Sequence, residues 1–341
     1  MTVKTIKLGG SASGAEVAKI GHGVMLMTWK PTHVPDEQCF ETIKAGIDQL
    51  PPGAKMFINA GEFYAYDLGP ANLELLSRFY AKYPEYAEKT FLSVKGGAKL
   101  QTLDPDGSPE NLRRSVDHII EKLGPHKRLD LFECARVVED PPVEEVMKTL
   151  LGFVKEGKFD HIGISECSAA TLRRANAIAP IAVVEIEVSP WSYEEETKKV
   201  IATCNELGIA IAAYSPLGHG FLTGKLLPKD LEAGDLRLHG SRLKEENWKH
   251  NVQLVETISS IASKKGITPA QLCLAWVGSL GPHIMPLPGS SSPSRKLENL
   301  AAGQIELSEA EVQEIADTMA KVGVKGGRYY DVPDHVLRLW A

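Results

Sequence analysis

Long apolar runs are absent from this 341-residue sequence, and no stretch approaches the about 18 apolar residues that a membrane-spanning helix requires. The first residues, Met-Thr-Val-Lys-Thr-Ile-Lys, lack the continuous apolar region of a secretory signal. A formal net charge of −6 argues against nucleic acid or an anionic membrane as the main partner. We therefore expect a cytoplasmic protein without such partners. The sequence leaves its oligomeric state open.

Cysteine is also scarce, with five residues at positions 39, 134, 167, 204 and 273. They are scattered, lie mostly within apolar runs, and form no Cys-x-x-Cys pair or metal-ligand spacing. This distribution predicts buried, reduced thiols, and neither a disulfide framework nor a metal site.

Short apolar runs alternate along the chain with longer helical patterns. Several runs are nearly continuous in Val, Ile, Leu and Phe, which is typical of strands buried on both faces of a parallel sheet. Eight such strands, each followed by a helix, predict an α/β fold of the (β/α)8 TIM barrel type. A doubly wound open sheet, with two strands miscounted, is the alternative. The runs span residues 23–29, 56–60, 90–95, 129–135, 161–165, 181–188, 210–215 and 283–288.

The remaining segments fit a single barrel domain over residues 1–341. Residues 5–19 precede the first strand and are expected to form a hairpin that caps the barrel bottom. The connection 216–245, after the seventh strand, is long enough to indicate a functional lid. Residues 322–341 form a C-terminal tail that contains Tyr329 and Tyr330. This tail either crosses the barrel mouth or packs on its side.

In such a barrel the active site lies at the C-terminal ends of the strands, so the polar residues there are the candidates. Asn59 ends the second strand, Tyr64 lies in the following loop, and Lys95 ends the third strand. Carbonyl reduction requires an acid that protonates the developing alkoxide, and an ammonium favours the phenolate form of a neighbouring Tyr. Tyr64 and Lys95 together indicate such an acid. Each alone would more often be a surface-loop Tyr or a solvated strand end.

An ordered set of motifs extends this pattern along nearly the whole chain. The motifs are Asn59…Tyr64, Lys95, Gly163-Ile164-Ser165, Ala213-Tyr214-Ser215-Pro216-Leu217-Gly218, and Pro288-Gly289-Ser290 followed by Arg295, Glu298 and Asn299. Together they resemble the NADP-dependent aldo-keto reductases. The resemblance implies NADPH as the cofactor and a small-molecule aldehyde or ketone as the substrate.

Site roles follow from this resemblance position by position. It implies that Tyr64 is the general acid, that Lys95 is its activator, and that Trp29 lines the substrate pocket. The implied cofactor residues are Ser165 and Glu185 for the nicotinamide carboxamide, Tyr214 for stacking on the nicotinamide ring, Ser215, Leu217 and Gly218 for the pyrophosphate, Ser290 and Arg295 for the 2′-phosphate, and Glu298 and Asn299 for the adenine. Lys225 is a further cofactor-binding candidate. Gly289 replaces the family's usual Lys, which weakens the preference for NADP.

Two positions depart from the family pattern. Asn59 stands where the family has an Asp, and Ala135-Arg136 where it has a His. The lost carboxylate removes an interaction with Lys95 of roughly 4 kcal/mol, for unit charges about 4 Å apart at an effective dielectric near 20. We expect Glu133 to point into the barrel and to replace this charge by pairing with Lys95 or Arg136. A strand shifted by one residue, with Glu133 facing a helix, is the alternative.

These departures resemble the fungal pyridoxal reductases, and residues 129–137 are the most telling stretch. The resemblance implies reduction of pyridoxal to pyridoxine, with Trp29 stacked on the substrate ring. A broad-specificity aldehyde reductase and a non-catalytic NADPH-binding regulatory subunit are the alternatives. We expect Arg136 to serve the pocket, either by polarising the carbonyl oxygen or by binding another substrate oxygen. A solvent-facing side chain is the alternative for this residue.

Overall fold

A computed structural model of the chain describes residues 3–329 and 337–341, and within them eight parallel strands form a barrel. The first and last barrel strands meet, because Gly21 N donates to Pro286 O at 2.9 Å and Gly23 N donates to Pro288 O at 3.1 Å. The predicted (β/α)8 TIM barrel is therefore confirmed. The strands are β1 (Thr5–Lys7) and β2 (Glu16–Ala18) of a separate hairpin, and β3 (His22–Gly23), β4 (Met56–Gly61), β5 (Thr90–Gly96), β6 (Leu131–Cys134), β7 (His161–Ser165), β8 (Ile181–Glu187), β9 (Ala210–Tyr214) and β10 (Ile284–Leu287) of the barrel.

Helices follow the barrel strands, and local capping residues set many of their ends. Ser108 Oγ accepts from Asn111 N at 3.4 Å, Thr268 and Gln271 cap each other reciprocally, and Gly208 ends a helix in the left-handed conformation. Among the described helices, none is long and apolar enough to cross a membrane. The helices are α1 (Met25–Thr28), α2 (Asp36–Ile47), α3 (Ala71–Lys82), α4 (Pro109–Leu123), α5 (Val143–Lys155), α6 (Ala169–Ile178), α7 (Glu195–Leu207), α8 (Glu245–Lys265), α9 (Pro269–Ser279), α10 (Pro293–Ala301) and α11 (Glu309–Val322).

The first barrel strand is shorter than the sequence pattern predicted. β3 ends at the beginning of the apolar run 23–29, and the helical turn α1 takes up most of the rest. The side-chain amide of Asn72 donates to Val24 O at 3.1 Å and to Thr28 Oγ1 at 2.9 Å, which holds this segment in a turn. The prediction of a strand over 23–29 was therefore wrong. A side chain 48 residues away had fixed the backbone.

The hairpin of β1 and β2 caps the N-terminal end of the barrel, as predicted. Gly9 N donates to Ala182 O at 3.1 Å, and Ser11 Oγ lies 2.9 Å from His161 Nδ1. Both partners lie at the beginning of barrel strands, β8 and β7. A Cβ on Gly9 would lie 2.5 Å from Gly208 O, so this close approach requires glycine.

The barrel interior changes from apolar to polar along its axis. Phe57 on β4 and Phe91 on β5 stack with ring centroids 5.7 Å apart, and Leu131 on β6 belongs to the same buried cluster. Because alternate side chains of a strand share a face, the next inward positions on β4 and β6 are Asn59 and Glu133. The polar layer thus lies toward the C-terminal ends of the strands, where active sites of such barrels form.

Lys296 is buried outside this polar layer. Lys296 of α10 is 1% exposed, and its Nζ donates to Gly21 O at 3.1 Å and lies 3.4 Å from Met56 Sδ. Burial lowers the pKa of Lys296 to about 7. The folded protein therefore releases this proton near neutral pH, whereas the unfolded chain keeps it up to about pH 10.

We predict that Lys296→Met raises the free energy of unfolding near pH 7 by about 1–3 kcal/mol, because it removes a buried amine. Between about pH 7 and about pH 10 the unfolded chain binds the extra proton, so wild-type stability should rise with pH and the gain from the substitution should shrink. Urea unfolding at several pH values measures both effects. A difference between variant and wild type that does not depend on pH would contradict the titration.

Candidate active site

Lys95 forms a buried ion pair inside the barrel mouth. Its ammonium on β5 donates to Glu185 Oε1 on β8, and the lysine side chain is 11% exposed. Asn59 Nδ2 on β4 donates to the other oxygen, Glu185 Oε2, at 2.6 Å. The structure thus places Glu185, a residue for which the resemblance implied contact with the nicotinamide carboxamide, as the direct partner of Lys95.

Glu133 lies next to this ion pair. Its position on β6 is in register with Lys95 on β5, and it is fully buried. Glu133 Oε1 lies 3.7 Å from Lys95 Nζ, and Glu133 Oε2 accepts from Ser93 Oγ at 3.4 Å. The side chain therefore points into the barrel, as strand alternation predicted, and the strand is not shifted.

Two carboxyl groups therefore face one ammonium in a buried interior. Burial disfavours the ammonium, but the negative charge of Glu185 holds the pKa of Lys95 well above its usual value. Burial, together with repulsion from Glu185, raises the pKa of Glu133 well above its usual value. Burial and the charge of Glu185 thus both favour the protonated form of Glu133. The charge that balances Lys95 then comes from Glu185, although Glu133 lies close enough to contribute.

Tyr64 lies beside Lys95 in the loop after β4. The Lys95 Nζ atom is 6.0 Å from the centroid of the Tyr64 ring, and Thr28 Oγ1 donates to Tyr64 O at 2.5 Å. Burial raises the pKa of Tyr64 to about 12, and the nearby ammonium opposes this shift. The phenol is therefore protonated at neutral pH, with a cation placed to stabilise its phenolate.

An apolar wall surrounds Tyr64. The Trp29 ring centroid is 5.6 Å from that of Tyr64 and 6.3 Å from that of Phe63. Ala135, at the position of the family's His, belongs to the same buried cluster. This lining suits an aromatic or apolar group. The members are Phe63, Tyr64, Ala98 and Ala135, with Met25, Trp29, Leu100 and Leu103 packed against them.

Arg136 is bound by the C-terminal tail. Its Nη1 donates to Leu337 O, and its Nη2 donates to Tyr329 Oη at 3.2 Å. The Tyr329 hydroxyl is in turn hydrogen-bonded to the hydroxyl of Tyr214 on β9. The described part of the tail therefore reaches the barrel mouth. Tyr330, the other tail tyrosine named from the sequence, lies outside the described residues.

Two of the expected nicotinamide ligands lie at the ends of β7 and β9, on either side of β8. Ser165, the last residue of β7, donates through Oγ to Cys134 O at 2.9 Å. Tyr214, the last residue of β9, has its ring centroid 5.4 Å from Lys95 Nζ. Tyr214 is thus close to the lysine that lies beside Tyr64.

The expected pyrophosphate residues lie on the turn after β9. Ser215 has a φ of 49° and Gly218 a φ of 54°. A Cβ on Gly218 would lie 2.5 Å from the Trp191 ring, so glycine is required there. Leu217 is partly buried, and Lys225 is exposed further along the same connection.

The loop after β10 offers groups that fit a phosphate. Ser290 Oγ donates to Ser292 O at 3.1 Å and accepts from Ser292 N at 3.1 Å, which shapes a turn before α10. Arg295 is exposed near the start of that helix. A hydroxyl, a guanidinium and the free amides of a helix N-terminus are suitable donors for a dianionic phosphate. The donor set therefore fits the 2′-phosphate of NADPH.

The two residues expected at the adenine lie further along α10. Glu298 Oε1 accepts from Thr268 Oγ1 at 2.7 Å, and Asn299 is buried. Thr268 is the N-cap of α9, so Glu298 also ties two helices together. Both residues thus have a structural role in addition to the one that the resemblance implies.

Comparison with known proteins identifies the family of the chain. A sequence model described as the Aldo/keto reductase family matches residues 19–319. The chain belongs to the aldo-keto reductase family. The probable pyridoxal reductase 2 of Schizosaccharomyces pombe is 36% identical over 93% of this chain and 96% of the relative. An aldo-keto reductase of the same yeast, yakc, whose name specifies NADP(+), is 36% identical over 80% of this chain and 81% of the relative.

The solved structures of other proteins share the fold. A glycerol dehydrogenase from Gluconobacter oxydans superposes with a TM-score of 0.79 over 96% of this chain and 98% of the dehydrogenase. Its sequence is only 20% identical, so this likeness concerns the barrel alone.

Ion pairs between distant segments hold the tail on this aldo-keto reductase. Arg328 of the tail is buried and donates to Glu166 Oε2 at 3.2 Å and to Glu194 Oε2 at 2.7 Å. Arg242 of the long connection donates to Ser192 Oγ at 2.6 Å and lies 3.8 Å from Glu194 Oε1. The connection and the tail therefore share one carboxylate. Sequence reasoning missed these partners, because no local spacing links Arg328 to Glu194, 134 positions away, or Arg242 to Ser192, 50 positions away.

We predict different effects on stability when each buried carboxyl group is replaced. Glu185→Gln removes the direct counter-charge of Lys95 and should lower the free energy of unfolding near pH 7 by about 3–5 kcal/mol. Glu133→Gln should instead raise it, because Gln keeps the shape of a protonated carboxyl and has no proton to take up on folding. Urea unfolding of both variants and the wild type measures these differences. Equal losses would contradict the assignment of the counter-charge to Glu185.

The same experiment tests the proton on Glu133 through its pH dependence. The pKa of Glu133 is higher in the folded than in the unfolded state. The folded state therefore binds the extra proton above about pH 4, and this group lowers stability as the pH rises. Glu133→Gln should lose less stability than the wild type between about pH 5 and about pH 8. Parallel curves would contradict the expectation.

Proposed function

We propose that the protein reduces an aldehyde to an alcohol with NADPH, and that its substrate is pyridoxal, which becomes pyridoxine. Membership of the family and the similarity to a probable pyridoxal reductase support the proposal. The observation that carries it is the protonated phenol of Tyr64 beside the charged Lys95 at the barrel mouth.

Tyr64 is the proton donor in this proposal. NADPH, when bound, supplies the hydride. Tyr64 transfers its phenolic proton to the carbonyl oxygen as negative charge develops there. Lys95 stabilises the phenolate that remains, because opposite charges attract strongly where water is excluded. The high pKa of Tyr64 keeps the acid form available over the whole neutral range.

Glu185 keeps Lys95 in the charged state that this chemistry requires. Asn59 donates to the same carboxylate and fixes its orientation. In this proposal Glu185 supplies the negative charge beside Lys95 that the family obtains from an Asp at the position of Asn59. The raised pKa of Glu133 favours its protonated form, which adds no second negative charge that would oppose phenolate formation at Tyr64.

The aromatic wall supports a planar aromatic aldehyde as the substrate. The Trp29 and Phe63 rings are nearly perpendicular, with an interplanar angle of 87°. A pyridine ring stacked on Trp29 could present its aldehyde to Tyr64, whose ring is 5.6 Å away. Arg136 and Tyr329 supply hydrogen-bonding groups at the same mouth for polar substituents of the ring.

The assignment of NADPH rests on the donor set after β10 and on the family. Arg295 and Ser290 would hold the 2′-phosphate, although Gly289 provides no second cation. The proposal gives the remaining cofactor residues the roles that the resemblance implies. These residues are Ser165 and Tyr214 at the nicotinamide, Ser215, Leu217 and Gly218 along the pyrophosphate, and Glu298 and Asn299 at the adenine, with Glu185 next to the nicotinamide site through its contact with Lys95. Lys225 stays a further cofactor-binding candidate.

A broad-specificity aldehyde reductase is the second candidate function. The cluster around Tyr64 is mainly hydrocarbon, and such a surface selects substrates by shape more than by particular polar groups. It would admit simple aromatic aldehydes as well as pyridoxal.

We predict that kcat/KM for pyridoxal exceeds the values for nitrobenzaldehyde and methylglyoxal by at least about tenfold. NADH should have a KM at least about tenfold above that of NADPH, because it lacks the phosphate that Arg295 would bind. Steady-state oxidation of each cofactor with the three aldehydes measures both ratios. A preference for the simple aldehydes would favour the second candidate, and a preference for NADH would remove the role of Arg295.

We predict that Tyr64→Phe lowers kcat by about 10²–10⁴ and leaves NADPH binding within about twofold, because only the acid is lost. Tyr66→Phe is the matched control, since Tyr66 lies in the same loop and is 51% exposed. Turnover and NADPH fluorescence titration measure the two quantities. Unchanged reduction by Tyr64→Phe would refute the mechanism. Tight NADPH binding with negligible wild-type turnover would instead indicate a regulatory subunit.

A further inference from the structure

A buried carboxylate lies two residues before Tyr64, and the mechanism above does not use it. Glu62 is 0% exposed and directly follows β4. Its oxygens accept from Arg114 Nη1 at 2.7 Å, Ser115 Oγ at 2.6 Å and His118 Nδ1 at 2.9 Å. One turn of α4 provides all three donors, because residues three and four positions apart lie on the same helix face.

The same cluster also holds the end of the strand that bears Lys95. Glu62 N donates to Lys95 O at 2.8 Å. Ser115 Oγ donates to Glu62 and accepts from Gly97 N at 2.9 Å, two residues after the lysine. The loop with the proposed acid and the strand with its activator are therefore tied to one helix through one carboxylate.

A carboxylate is an unusual choice if this loop only needs an anchor. An apolar side chain could fill the space, whereas a buried charge is tolerated only when it is paired and hydrogen-bonded. Glu62 meets that condition with donors of defined direction, including a guanidinium. Such contacts fix an orientation, which packing of apolar groups does less strictly. The implied cofactor residues lie on β7 to β10 and on the connections that follow them, and none of them contacts Glu62 among the described residues.

We infer that Glu62 is a positioning residue, which sets the geometry of Tyr64 relative to Lys95 by joining the loop after β4 and the end of β5 to α4. The inference rests on the proposed function, since the geometry matters only if Tyr64 is the acid. It assigns to Arg114, Ser115 and His118 a supporting role in the same reaction.

The test is Glu62→Gln, which keeps the shape of the side chain. It replaces one accepting oxygen by an NH₂ group, which cannot accept a hydrogen bond from the donor that it faces. We expect kcat for the aldehyde to fall about 10–100-fold, because small misplacements of a reacting group have effects of this size. The Kd for NADPH should stay within about twofold. The primary isotope effect on kcat, with NADPH deuterated at the transferred position, should increase because the transfer step becomes more rate-limiting.

The isotope effect separates positioning from a merely structural role. If Glu62→Gln only unfolded part of the sample, the fraction that binds NADPH would fall in proportion to kcat, and the isotope effect would not change. That result would overturn the inference. The control is Glu156→Gln, which breaks an exposed ion pair with Arg113, the neighbour of Arg114 on α4. This substitution should change neither kcat nor the isotope effect.

Ser115→Ala provides a second route should Glu62→Gln not fold. It removes the hydroxyl between Glu62 and Gly97. We expect it to lower kcat and to increase the isotope effect, each by a smaller factor than Glu62→Gln does. Unchanged values in the folded variants would overturn the positioning role alone, provided that the wild type reduces aldehydes. A wild type that binds NADPH but reduces no aldehyde would overturn the proposed function and this inference together.

Discussion

The rest of the site depends on the ion pair between Lys95 and Glu185 inside the barrel. A buried ammonium without a counter-charge tends to lose its proton, and a neutral lysine would give Tyr64 no electrostatic help. Glu185 prevents this loss, and Asn59 holds the carboxylate in place. Burial and the charge of Glu185 raise the pKa of Glu133 beside them and favour its protonated form. The electrostatic environment of the proposed acid, Tyr64, therefore depends on the charges that Lys95, Glu185 and Glu133 carry.

The barrel makes this division possible because strands far apart in the chain contribute side chains to the same layer. Lys95 and Glu185 are 90 residues apart, yet both point inward near the C-terminal ends of their strands. The stacked rings of Phe57 and Phe91 below them belong to an apolar layer, which excludes water and strengthens the interaction. The ion pair at the barrel mouth thus depends on the apolar layer that packs beneath it.

Sequence reasoning reached the features that local signals determine. The alternation of short apolar runs with helical patterns predicted the barrel, and the alternation of side chains along a strand predicted that Glu133 points inward. It failed where a distant side chain decides the outcome. Asn72 ended β3 early, and nothing near Glu185 in the sequence shows that this residue bonds Lys95. Contacts of this kind depend on which strand positions face one another, and that is known only once the barrel has closed.

The hydrogen bond between Asn59 and Glu185 also determines how substitutions at these two positions affect each other. Restoring the family's aspartate by Asn59→Asp would not recover the usual site, because a third carboxyl group would then crowd a single lysine. The same substitution would also remove the amide that donates to Glu185. We therefore expect substitutions at positions 59 and 185 to have non-additive effects, because both side chains bond within one ion-pair network. In this chain the carboxylate that bonds Lys95 lies on β8, and β4 contributes the amide that orients it.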